Sequence, residues 1–181
     1  MAGKNNGKKA GKPPAAADPI EKLIVENRER IKELTAIHAT SDIIKEGKPI
    51  ADTLERICRI LPGAWQYPDS TVARIRFDEM EFTTRHFRET EWKLTQVFQT
   101  IDNLIGSIDV CYLKSFPDAD EGPFLKEERN LINTLASLIE GYLNAVKGKE
   151  GRYVTRERIK ELAAINQTTN IIRAGGPPDE T

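Results

Sequence analysis

Residues Arg28–Thr53, RERIKELTAIHATSDIIKEGKPIADT, return as Arg156–Thr181, RERIKELAAINQTTNIIRAGGPPDET, with 15 of 26 positions identical at an offset of 128 residues. A duplication of that length changes what 181 residues mean. It predicts one repeat of about 120 to 130 residues and the opening segment of a second, rather than one domain of fair size. The first copy runs on into LERICRILPGAW, which can cover a core, and nothing follows the second copy in this sequence. Ile159, Leu162, Ile165, Ile171 and Ile172 are therefore expected to be exposed, paired with another chain, or packed on the first repeat.

Charge and cysteine usage narrow the class. Twenty-seven Lys and Arg against 28 Asp and Glu, interspersed, leave a formal charge of −1, which offers no electrostatic attraction for nucleic acid or acidic lipid. Apolar runs are short and the N-terminus has no apolar leader, so the reading is a cytosolic protein without a membrane span. Cys58 and Cys111 lack CxxC spacing and a nearby histidine pair, which predicts reduced thiols and no metal site.

Five stretches follow along the chain. Residues 1–19 carry Gly, Lys, Pro and Ala with no core-forming pattern, and are expected to be a disordered, solubilising tail. Residues 20–147 form the domain. From Ile20 the period is helical, with Leu23, Asn27, Arg30, Leu34, Ile37, Ser41 and Ile44 as a seam widened by Ile24 and Ile31, ended by Gly47 and Pro49. Because Asn27 and Arg30 interrupt that seam, its first turns suit a helix pair between subunits better than a deep core. A second helix spans Ile50 to Leu61.

Two hairpins come next. TVARIRF alternates, with Ala73, Ile75 and Phe77 opposite Val72, Arg74 and Arg76, and turns at Asp78-Glu79 into MEFTT. KLTQVFQT and LIGSIDVCYL flank a turn at Asp102-Asn103, with Gly106, Ile108, Val110 and Tyr112 opposite Ser107, Asp109 and Cys111. One sheet face is thus apolar and the other polar, with cross-strand charge pairs expected in solvent. A helix then opens at Pro123, with Glu127 and Glu128 in its first turns and a broad face from Leu131 through Leu138 and Tyr142 to Val146. Residues 148–181 read as a linker loosened by Gly148 and Gly151, then the first helix of a truncated second repeat.

An antiparallel sheet of four or more strands with helices gathered on one face is an α+β sandwich. Three stretches give the order its meaning: IADTLERICRILPGAW before the first strand, NLIGSIDVCYL after a turn, and GPFLKEERNLINTLASLIEGYL leading into the last helix. Together, over about Ile31 to Val146, they resemble a GAF domain, and PAS domains share the layout. The resemblance implies a sensory or regulatory module of a multidomain signalling protein, dimerising and relaying signals through flanking helices. The alternative is an architectural repeat that spaces or dimerises an output domain without sensing. Ligand-binding GAF domains carry a longer helical insertion between the second and third strands, where this chain has only about eight residues, so most of the pocket roof is expected to be missing.

Candidate ligand contacts are accordingly Trp65, Tyr67, Arg74, Arg85, Phe87 and Trp92, a shallow aromatic groove with arginines for an anion, weighed against ordinary capping of the sheet by these rings. Ile24, Ile31, Leu34, Leu138 and Tyr142 are the candidate dimer and relay positions, and the expected partner is a second copy of the chain. No cofactor is implied. His38 and His86 have no nucleophile or carboxylate at motif spacing and there is no Gly-rich phosphate loop, so no catalytic residue is proposed.

Overall fold

A computed structural model describes residues 19–174, with side chains described for all of these but 21–22, 25–26, 150–155 and 162–174. The lysine-rich tail expected before Pro19 and the residues after Ala174 lie outside the described residues. Period-two alternation sets the layers. Strands β1 (Thr71–Phe77), β2 (Met80–Thr83), β3 (Lys93–Gln99) and β4 (Ile105–Tyr112) form one antiparallel sheet in the order β2-β1-β4-β3. Ile75 stands opposite Ile108 and Leu94 opposite Val110, so the apolar residues share one inner face. Both hairpins turn where they are read, at Asp78 (φ 54°) and Asn103 (φ 65°), residue types that tolerate the left-handed region.

Helices α2 (Ile50–Ile60) and α3 (Lys126–Ala174) cover that inner face. Leu54, Ile57 and Cys58 from α2, with Leu131, Ile132, Leu135, Ile139 and Leu143 from α3, are almost wholly buried against it. The first helix, α1 (Pro19–Lys45), packs on α2, α3 and the short 3-10 turn Leu61–Ala64 rather than on the sheet. It ends at Gly47, whose φ of +67° only glycine takes without strain. Arg56 then forks onto Glu46, both bonds 2.6 Å, and holds that exposed carboxyl down to about 2. Tyr142 of α3 reaches the same corner, its hydroxyl donating to the Lys48 carbonyl at 3.1 Å.

Three sequence expectations change. Among the described residues of α1, those buried in its own domain are Ala36, Thr40 and Ile43, flanked by half-buried Ile37 and Ile44. Leu23, Ile24, Ile31 and Leu34 are all more than half exposed. The expected seam splits because alanine and threonine, which look neutral in a hydropathy pattern, are small enough to let the helix approach its neighbours. The last helix begins at Lys126, with Pro123 in the preceding turn. It also continues through Gly148 and Gly151 as one helix to Ala174. Each glycine costs only about 1 kcal/mol in a helix interior, which good helix formers on both sides offset.

Candidate functional site: the crossover on the outer sheet face

Because β2 and β3 lie at opposite edges of the sheet, the nine residues Thr84 to Trp92 must cross from one edge to the other. They do so at the end where β1 begins and β4 finishes. Thr84 extends the β1 pairing, its N–H donating to the Ala73 carbonyl at 2.9 Å, and His86 makes the turn with φ 60°. Thr90 Oγ1 donates to the Tyr112 carbonyl at 2.9 Å, and Arg88 donates to the Leu113 carbonyl at 3.3 Å. The short segment therefore lies down on the sheet. Val72 and Cys111 on the outer face are buried, and the thiol of Cys111 is pushed upward by that burial.

Beside it, the polar half of the face is an ion cluster rather than a solvated surface. Asp109 of the central strand β4 is 1% exposed. Its Oδ2 accepts from Arg74 Nη2 at 2.8 Å, Arg74 Nε at 3.0 Å and Arg76 Nη2 at 3.3 Å, while Oδ1 accepts from Thr95 Oγ1 at 2.8 Å. Arg74 in turn donates to Glu89 of the crossover at 3.2 Å, and its guanidinium stands 4.8 Å from the centre of the Phe87 ring. Burial opposes the charge of Arg74, but Asp109 with Glu89 and Glu81 outweighs it and holds the guanidinium above its ordinary value. Of the charges expected in solvent, Asp109 is enclosed and Arg74 largely so, because Arg74, Arg76 and Thr95 from adjacent strands converge on one carboxylate, while Arg76 and Glu89 each stay 49% exposed.

The six candidate ligand residues do not form one groove. Trp65 is fully buried, and its Nε1 has no partner among the described residues. Tyr67 stacks on Phe116 at 3.7 Å and meets Tyr112 edge-on, and Trp92 packs against the core. Arg74 and Phe87 belong to the outer cluster. Arg85 lines a cleft of about 550 Å³ beside α2 with Glu55, Arg59, Thr71, Thr83 and Thr84. Arg59 there is paired to Glu55 at 2.6 Å. Of the relay positions, Tyr142 is buried and Leu138 half-buried. Cys58 and Cys111 are both free, and Cys58, which points from α2 onto the inner sheet face and donates to the Phe82 carbonyl at 3.3 Å, is driven up to about 12 by burial. Among the described residues no three metal-binding side chains come together.

A second buried carboxylate escaped the sequence reading. Glu128 is 3% exposed; its Oε1 accepts from the Tyr112 hydroxyl at 2.7 Å and the Gln66 N–H at 2.8 Å, its Oε2 from the Leu125 N–H at 2.8 Å. The last bond is the reach-back of a capping box, and a glutamate three residues into α3 was the only signal for it. Burial raises this carboxyl despite those three donors. Folding therefore favours its protonated form, so the stability it contributes is fully present below the ordinary value of 4.5 and is lost as pH rises through the folded value. In urea unfolding between about pH 4 and 7 the protein is expected to lose stability, as pH rises, relative to Glu128→Gln at the same pH. A stability difference constant across that range would contradict the assignment.

No family model matches the chain, and no curated protein is similar enough to match it. Among the described residues no helix is long and apolar enough to cross a membrane.

Proposed function

We propose that this chain is a reduced GAF-like regulatory module that passes changes in packing at its sheet or at a dimer interface into its flanking helices. In this reading it works in the cytoplasm as part of a multidomain signalling protein, binds no cofactor and performs no chemistry of its own. The observation that carries the proposal is α3. Its first turns pack on the sheet through Leu131 and Leu135, and the same unbroken helix reaches Arg156, where the α1 sequence from Arg28 onward begins again. A displacement at the sheet is thus transmitted along a rigid rod into the opening helix of the next repeat. The exposed Ile24, Ile31 and Leu34 give α1 an apolar face for a second copy.

The filled outer face favours a second reading, an architectural repeat that spaces or dimerises an output domain, because Phe87 and Arg74 occupy the place of a ligand. A rise in melting temperature with cyclic nucleotides, lost on Arg85→Ala, would separate sensing from spacing.

Both readings require a stiff α3. Spin labels on Glu140→Cys and Lys160→Cys are expected to give one narrow distance near 30 Å, since twenty residues rise about 1.5 Å each. Burial keeps the native thiols from competing for label. A broad distribution centred below about 20 Å would mean a hinge at the glycines and would remove the relay.

A further inference from the structure

The seat of α1 in its own domain lies against α2, α3 and the Leu61–Ala64 turn. Lys32 Nζ donates to the Trp65 carbonyl at 3.5 Å and pairs with Glu29 at 2.9 Å, while Ala36, Thr40 and Ile43 are buried. The Thr40 hydroxyl has no partner among the described residues. Ile37 and Ile44 flank Ala36, Thr40 and Ile43, half-buried against the same core, so α1 buries fewer whole aliphatic side chains than α3 does.

The second copy of the segment keeps every one of these residues at the same spacing: Glu157, Lys160, Ala164, Thr168 and Ile171. Between Arg28–Lys45 and Arg156–Arg173 only positions 35, 38, 39, 41, 42 and 45 differ, and none of them is among the buried positions of α1. Local geometry is kept as well. Lys160 pairs with Glu157 at 2.8 Å as Lys32 does with Glu29, and Ile159 is 62% exposed where Ile31 is 65%.

We infer that residues 156–173 of a second copy of the chain can occupy the seat held by α1, giving assembly by helix exchange. The segment cannot reach its own seat without breaking α3, which carries Lys160 about 25 Å beyond Leu143, the last fully buried of that helix's described residues. The partner is therefore another copy. In cis, α1 competes at an effective concentration in the millimolar range, so it keeps the seat until something dislodges it. Exchange then links body to tail between copies, a heterologous contact that leaves the outward face of α1 available. The inference rests on the repeat and on the seat, and is independent of whether the module senses a ligand.

Two full-chain experiments test it. Ala36→Glu places a charge in the seat and dislodges α1. By sedimentation equilibrium at about 50 µM this variant is expected to have at least twice the weight-average mass of the double variant Ala36→Glu/Ala164→Glu, whose tail is disabled too. Equal masses overturn the inference, and so does an unfolded Ala36→Glu chain with its tail intact. The second chain carries Thr35→Ala, His38→Asn, Ala39→Gln, Ser41→Thr, Asp42→Asn and Lys45→Arg, which writes the tail sequence into the seat. Its melting temperature is expected within about 8 °C of the parent, and a larger fall overturns the inference.

Discussion

The Asp109→Ala chain is expected to melt on the order of 10 °C below the parent, a loss of about 3 kcal/mol, the largest effect of any single substitution on the outer face. The carboxylate is enclosed, and its removal leaves Arg74, itself 13% exposed, with only the exposed Glu89 and Glu81 as counter-charges. Thr95 and Arg76 lose the same acceptor. Because Arg74 also holds Glu89 and Phe87, the crossover is expected to loosen with the cluster, making Cys111 reactive toward a thiol reagent at rates well above those of the parent. Asp109→Asn keeps one acceptor oxygen and should lose less. An alanine variant that melts within about 2 °C of the parent would mean that the buried pair contributes nothing net, an outcome known where desolvation cancels attraction.

The other large effect is expected at Gly106. Its neighbours across the sheet are Phe77 on β1 and Phe98 on β3, whose rings lie 6.2 Å apart. A β-carbon at position 106 would stand inside contact distance of three ring carbons of Phe98, and that ring is 4% exposed with no open space to retreat into. Gly106→Ala should cost about 1 to 3 kcal/mol by overpacking, and Gly106→Val more. Gly141 is the control. It lies on the exposed side of α3 with nothing within 4 Å of an added β-carbon, so Gly141→Ala should stabilise by about 0.5 to 1 kcal/mol. Urea unfolding of the two alanine variants distinguishes packing from glycine entropy, since equal shifts of either sign would leave the Phe98 contact without effect.

The inner sheet face, both hairpins and the polar outer parity were legible because a two-residue period and turn residues such as Asp78 and Asn103 are local signals. Asp109 was legible as a polar residue on a strand but not as a buried one. Its burial depends on which strands flank β4 and on the path of Thr84 to Trp92, and neither leaves a mark near position 109. The candidate groove failed for a related reason. Trp65, Tyr67 and Trp92 are close in composition to a ligand site, yet rings near sheet ends meet whatever the tertiary fold brings, here Phe116 and the core. In α1 the period was right and the phase was not, since Ala36 and Thr40 carry little hydropathy yet set the face that turns inward.

The unbroken course of α3 makes residue number a measure of angle. Each residue added between Leu143 and Arg156 turns everything beyond it by about 100° and advances it about 1.5 Å. One inserted residue would therefore swing the Ala164, Thr168 and Ile171 positions to the flank of the helix, while seven or eleven would bring them back to within about 20° of their present heading. A change of length between Leu143 and Arg156 is therefore expected to be tolerated by phase rather than by size, so that the count of residues in this stretch is in effect an orientation.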